Sequence, residues 1–510
     1  MNYPAHAHPV GSGSLAEAQQ LVASAARELG GDPAAQALLR ECDERLRQPL
    51  RVALAGSIKA GKSTLLNALV GQSIAPTDAT ECTRVVTWYR TGATPTVTAF
   101  ARDGAAANVA LRRGAGAHGL TFELDDLRWH PAGPHAVDHL EVRWPTPALA
   151  RTTIIDTPGT SSLSREVSER TLRLLTPADL DAGAVSVPGA DAVVYLLRRL
   201  DAADLHFLEQ VGSGGPAGPL GVVGVVSRAD EISAGRIDAL HSARQVAARF
   251  ATELERTGLC QAVIPVAGLL AFAAATLTQP EFLAFTALTA LPADTLELAL
   301  LSADRFAHPD ADLPVPAPMR AQLLDRFGMF GVRMATELVR TGIRDAAALA
   351  AELAARSGID ELRTVLDVQF GQRAEQLKAH SALTTLDRVL TAHPGRADHL
   401  LPRVRTLLAD VHGFAELRLL GRLRTDELPL PADDLAELFR LIGGAGVAAH
   451  VRLGLPADTD PATLRAHAAE AARRWRTRSR HPLIDQATAA ACLTAVRSAE
   501  GALSQLSPPA

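Results

Sequence analysis

Hydrophobic positions along the chain fall into two regimes. Between Leu50 and Val266, short aliphatic runs recur at Leu50–Ala55, Val85–Tyr89, Thr96–Phe100, His139–Val142, Thr153–Ile155, Ala192–Leu197, Val222–Val226 and Ala262–Val266. Runs of this length predict buried strands, and helical segments separate the later ones. That alternation predicts an α/β fold built on a mostly parallel sheet covered on both faces. Outside this stretch the period is helical. Ser14–Arg47 carries Leu15, Leu21, Leu29, Leu38, Leu39 and Leu46 at helix-like spacing, interrupted near Gly30, Gly31 and Pro33. From Ala267 onward the pattern stays helical, with a proline-rich loop at 309–318 and a glycine turn at 443–446.

Composition narrows the picture only a little. With 47% hydrophobic and 21% charged residues, the 510-residue chain can bury a large core. A net charge of −5 gives no global attraction to nucleic acid or anionic lipid, so such a contact needs a local patch. Cys42, Cys82, Cys260 and Cys492 have neither metal-ligand nor disulfide spacing, which fits a reducing compartment. Residues 1–13 lack the basic-then-apolar pattern of a leader. The longest apolar stretches, Leu269–Leu277 and Phe282–Leu291, are parted by Pro280 and Glu281, so no membrane-spanning helix is expected. The expected location is cytoplasmic, or peripheral on the inner face of the cell membrane.

Lysine usage points to the chemistry. Of 51 basic residues only Lys59, Lys62 and Lys378 are lysines, and two of these share one glycine loop. A compact ammonium does there what a planar guanidinium cannot. The loop Gly56-Ser57-Ile58-Lys59-Ala60-Gly61-Lys62-Ser63-Thr64 satisfies G-x-x-x-x-G-K-[ST] between a predicted strand and a helix. Its amides suit a β-phosphate, Lys62 would bridge the β- and γ-phosphates, and Ser63 would ligate Mg2+. Asp156-Thr157-Pro158-Gly159 follows the strand Thr153–Ile155, so Asp156 can hold the metal through water and the Gly159 amide can meet the γ-phosphate. Ser227-Arg228-Ala229-Asp230 follows another strand and corresponds to the guanine-reading [NTS]-K-x-D element. Asp230 would accept two hydrogen bonds from the base edge, a donor pair that adenine lacks, and the stem of Arg228 would cover the base. In the polar loop 76–84, Thr83 is favoured over Thr80 to close over metal and γ-phosphate. Val266-Ala267-Gly268 ends a strand where an amide of Ala267 can reach the guanine O6. The ligands implied are GTP or GDP and Mg2+.

These elements resemble the large GTPases of the dynamin superfamily, above all the bacterial dynamin-like proteins and their isoniazid-inducible members in mycobacteria and other actinobacteria. The resemblance rests on Arg51–Asn67, Ile155–Gly159, Ser227–Ile232 and Ile264–Leu270, continues through Ser357–Arg363 and Arg373–Lys378, and is weaker after Leu383. It implies a GTPase head (49–375) and a helical neck and stalk (376–510), against which the N-terminal helices (1–48) pack. It also implies self-association through head or stalk, a possible second dynamin-like partner, and membrane remodelling.

The chain departs from eukaryotic dynamins at Ile58 and Lys59, where those proteins carry glutamine and serine, and Thr160 stands where a Ras-like glutamine would follow Gly159. Either the Lys59 ammonium takes the place of a catalytic cation, or it faces solvent. An anionic-lipid contact is sought within 443–481, which holds the glycine-broken stretch 443–455 and the basic run Arg473–His481. A helix connection and a solvated helix face are the plainer readings of those two segments. No specific nucleic acid is expected. The rival functions are a translation-type GTPase and a GTP-gated scaffold with negligible turnover.

Overall fold

The computed structural model describes residues 12–506 except 78–84, 114–119, 125–126, 132–135, 160–170, 172–173, 176–188, 213–220, 237, 257–259, 261, 411 and 424–427. Its centre is a nine-stranded sheet in the order β11-β10-β9-β1-β8-β2-β7-β3-β4. These strands are β1 (Leu50–Gly56), β2 (Val86–Thr91), β3 (Thr96–Phe100), β4 (Ala106–Asn108), β7 (His139–Trp144), β8 (Thr152–Asp156), β9 (Ala192–Leu197), β10 (Val222–Ser227) and β11 (Ala262–Val266). From β11 to β8 every neighbour is parallel. Beyond β8 the sheet extends through antiparallel pairs and one parallel pair, β2 with β7. A separate hairpin joins β5 (Ala110–Arg113) to β6 (Leu120–Glu123).

Side-chain alternation along β1 divides the core. Leu50, Val52 and Leu54 face the helices Lys62–Val70 and Ile359–Gln369, together with Ile154, Val194 and Leu196. Ala53 and Ala55 face the opposite side, where Val193, Tyr195, Phe207, Leu208 and Leu254 pack. The first face continues without a break into the neck. Ala18, Val22, Leu29 and Leu39 of the N-terminal helices (Ser12–Glu28, Pro33–Arg47) share that core with Leu383, Leu386 and Leu390 of the helix Ala374–Ala392. Lys378 Nζ ties the two flanks by donating to the carbonyls of Leu46 and Gln48 at 3.1 and 3.0 Å, satisfying the end of the second helix.

Two further cores are separate. The helices from Gly268 to Arg356 surround Phe285, Phe306, Phe327 and Phe330. Within them, the apolar helices Gly268–Ala275 and Gln279–Thr289 meet at a 111° bend, and no single helix among the described residues is long and apolar enough to cross a membrane. The C-terminal helices from His412 to Gln505 surround Leu420, Leu438 and Trp475.

Most of the two segments considered for lipid contact is engaged within the protein, and Arg480 and His481 at the end of the second are exposed. Ile442, Gly443 and Gly444 are buried, and Arg373 donates to the carbonyls of Ile442 and Gly443 at 3.0 and 2.6 Å. The glycine run is therefore not an exposed tip but a seat for a buried guanidinium. In the basic run, Arg473, Arg474, Arg476 and Arg478 pair with Glu470, Glu437, Glu500 and Asp434, and Trp475 is buried. Acids from neighbouring turns and helices neutralise what reads in sequence as a positive patch.

Candidate functional site

The glycine loop joins β1 to the helix Lys62–Val70 at the carboxyl end of the parallel strands, where open α/β sheets bind ligands. Gly56, at φ 141°, crosses so close to β9 that a Cβ there would stand 2.5 Å from the Leu196 carbonyl oxygen. Ser57 follows, and the Ala60 amide closes the loop on the Ser57 carbonyl at 3.2 Å. Lys59 is exposed, with a left-handed backbone (φ 59°) unusual for a residue with a side chain. Gly61 precedes the helix, and Thr64 lies in its first turn. Lys62 Nζ turns back and donates to the Gly56 and Ser57 carbonyls at 3.0 Å each. Burial lowers its pKa, opposed by the charge of Asp156.

Ser63 Oγ donates to Asp156 Oδ2 at 2.7 Å, bringing the end of β8 against the first turn of the P-loop helix. Asp156 Oδ1 is buried without a hydrogen-bond partner among the described residues. Burial raises the pKa of this carboxyl, against Lys62 and Ser63. An orphaned buried carboxylate oxygen beside a hydroxyl fits a hydrated hard cation such as Mg2+. Thr157 fixes the turn through Oγ1, which donates to the Leu54 carbonyl at 2.8 Å. Gly159 lies against the P-loop, where a Cβ would be 2.5 Å from Ile58 Cγ1 and 2.9 Å from the Ile58 nitrogen. Thr83 and Thr80 fall outside the described residues.

Asp230 follows β10 and is only 6% exposed. Burial pushes its carboxyl up to about 6. Arg228 has a left-handed backbone (φ 52°), and its guanidinium donates to Glu231 at 2.6 Å, an acid that Arg198 also approaches at 3.6 Å. The Ala267 amide donates to the Ser357 carbonyl at 2.9 Å. Contact from that amide to a guanine O6 requires this bond to be exchanged, which the sequence did not signal because Ser357 is remote in the chain. Sequence reasoning also passed over Gly328, whose position is next to Asp230. Its one signal was a glycine inside a helical pattern.

The model of the dynamin family matches residues 52–181, from β1 past the P-loop and the Asp156 turn. Isoniazid-induced protein IniC of Mycobacterium tuberculosis is 53% identical over 468 residues, which cover 91% of this chain and 92% of that protein. This chain belongs to the dynamin family. Its domain of that family is a GTPase domain and implies guanine-nucleotide binding. Relatives at greater distance include isoniazid-induced protein IniA of the same organism, 34% identical over 28% of this chain and 22% of that protein. The bacterial dynamin-like protein of Nostoc punctiforme is 38% identical over 15% of this chain and 12% of that protein. Among solved structures, a chain of an oligomerised bacterial dynamin pair overlays at a TM-score of 0.30 and 13% identity, covering 98% of this chain and 74% of its own. That likeness is too loose to carry an argument. Family membership removes the translation-type alternative.

Proposed function

We propose that this dynamin-family chain binds GTP with Mg2+ and hydrolyses it, and that the cycle drives conformational change or assembly at a membrane surface. The observation that carries the reading is one site at the ends of β1, β8 and β10. A P-loop lysine folded onto its own loop carbonyls, a Ser63–Asp156 pair with an orphaned carboxylate oxygen, and the buried Asp230 lie at or after the ends of parallel strands of the same sheet. Nucleotide exchanges the Lys62 contacts to the neutral Gly56 and Ser57 carbonyls for anionic phosphate oxygens, a gain because both partners are then charged. Ser63 and Asp156 would hold Mg2+, which when bound neutralises charge on the phosphate oxygens. The Gly159 amide would meet the γ-phosphate, and Thr83, outside the described residues, would close over it. Asp230 selects guanine, and Lys59 adds positive charge at the phosphates.

Self-association, or pairing with a second dynamin-like chain, belongs to the same reading and rests on family membership. So does a cytoplasmic location with peripheral membrane contact. Within the basic C-terminal region, the surface best suited to lipid is the turn 480–485 between the helices Pro461–Ser479 and Gln486–Gln505. Leu483 there is 86% exposed, beside exposed Arg480 and His481. An apolar anchor flanked by basic residues suits an anionic interface.

The test is GTP turnover by purified protein with and without anionic liposomes, with co-sedimentation on the same samples. Stimulated turnover with pelleting is the expected result. Turnover with neither moves the lipid contact to a partner chain, and tight GTP binding without turnover replaces the enzyme by a GTP-gated scaffold.

A further inference from the structure

The helix Ala317–Arg340 keeps helical backbone on both sides of one residue, Gly328, which sits at φ 63° and ψ 173°. Only glycine enters that region without strain, and such outliers gather at ligand clamps and switches. The break is not a frayed end. Before it, Phe327 is fully buried and meets Phe285 edge-on at 5.1 Å, and Arg326 pairs with the buried Glu281 at 2.8 Å. After it, Phe330 and Val332 are buried in the same core. Each half is anchored by itself, so the chain between them is held in its unusual conformation.

What the break faces is the base-reading carboxyl. A Cβ built on Gly328 would stand 3.7 Å from Asp230 Oδ2 and 3.7 Å from Leu269 Cδ2. Leu269 belongs to the helix Gly268–Ala275, which packs on the P-loop helix. There a Cβ on Gly268 would lie 3.7 Å from Leu65 Cα and 4.0 Å from Thr64 Cγ2. The helices from Gly268 to Arg356 therefore lie against the site in two places, at the P-loop helix and beside Asp230. A carboxylate that accepts two hydrogen bonds from one base edge must be held in one orientation, and the break leaves no more than the width of one methyl group between the Gly328 backbone and Oδ2, which bounds the rotation of that carboxylate.

We propose that Gly328 is a positioning residue for guanine selection: the break in the helix Ala317–Arg340 bounds the space in which Asp230 can turn, and so fixes how its carboxylate meets the base. This rests on the GTP reading above. Space for a methyl group exists at 3.7 Å, so a substitution acts by shifting the break rather than by collision.

The experiment compares GDP with IDP, whose base lacks the exocyclic amino group, by isothermal titration of the full chain. G328A is set beside G342A. Gly342 has φ 122° just after the same helix, with nothing within 4 Å of a Cβ, so it imposes comparable strain away from Asp230. The unmodified protein is expected to favour GDP over IDP by roughly tenfold, the effect of one lost hydrogen bond to a charged group. G328A is expected to shrink the preference to about twofold, and G342A to preserve it. An unchanged preference in G328A, or equal loss in both variants, overturns the proposal. Failure of the unmodified protein to bind GDP would bring down the nucleotide reading itself, and the proposal with it. Hydrogen exchange on the unmodified protein makes the test independent of whether G328A folds. Amides of 327–331 are expected to exchange at least about fivefold slower with GDP, and less so with IDP. Equal exchange with and without GDP overturns the proposal.

Discussion

At the scale of single residues, the two groups with the sharpest consequences are Asp230 and Lys59. Burial raises the Asp230 carboxyl from 3.8 to about 6. Guanine needs the ionised form, so GDP affinity is expected to be flat above about pH 7 and to fall about tenfold per unit below about 6. Calorimetric titration across pH checks this, and D230N should cost about a hundredfold at pH 7.5. The stability effect runs the other way. A raised carboxyl favours the folded state when protonated, so its contribution is present below about pH 4 and lost as pH rises through 6. Lys59 is a separate case. K59G removes both the ammonium and the left-handed strain at φ 59°. GTP affinity should stay within about twofold while turnover falls by about a thousandfold. Unchanged turnover would make Lys59 a solvent-facing loop residue. The P-loop, the Asp156 turn and the Asp230 turn were legible because each lies in one short segment after an aliphatic strand. Gly328 was not, because its significance comes from a neighbour 98 residues away, the separation of Asp230 and Gly328 in the chain.

At the scale of elements, the long aliphatic strands and the helical flanks were legible, and the boundaries moved by a residue or two. β4, β5 and β6 were missed: they are short, and β4 is Ala-Ala-Asn, with little strand preference of its own. The antiparallel half of the sheet was illegible too, since alternation along a strand does not state the direction of its neighbour. The glycine run and the arginine run were read without their partners, Arg373 in one case and Glu437, Asp434 and Glu500 in the other. A buried contact of the same kind offers a test. Arg452 donates to both oxygens of Glu416, which also accepts from Ser498 at 2.7 Å. Burial alone would push Glu416 up, but Arg452 and His412 together bring it down to about 2. Its stabilising contribution is therefore present above about pH 4.5 and lost as pH falls toward 2. R452M leaves the buried Glu416 carboxylate without its guanidinium, held only by Ser498 and His412, and should destabilise the C-terminal helices by about 3–5 kcal/mol in urea unfolding. GDP affinity should stay within about twofold, because those helices have a core of their own.

At the scale of the whole molecule, one core runs from the sheet face beneath the P-loop into the neck, while the helices from Gly268 to Arg356 and the C-terminal helices keep separate cores. Changes at the nucleotide thus have a packed route to the neck. The C-terminal helices attach to it through the Arg373 contacts to Ile442 and Gly443 and the Gln372 side chain, which accepts from the Val447 amide at 3.0 Å. If the turn 480–485 touches lipid, L483E should reduce liposome pelleting by at least about tenfold, an acid replacing an apolar anchor at an anionic surface. Basal turnover should be unchanged, because Leu483 lies between two of the C-terminal helices, which have a core of their own. Undiminished pelleting would remove this turn from the membrane reading.

The most direct test of the central claim is single-turnover hydrolysis of GTP and ATP by the full chain, with Mg2+ or EDTA, beside K62A. Cleavage of GTP with Mg2+ is expected, with at least about a hundredfold preference over ATP and loss of activity in EDTA and in K62A. Equal cleavage of ATP and GTP, or tight GTP binding without any phosphate release, would contradict that claim.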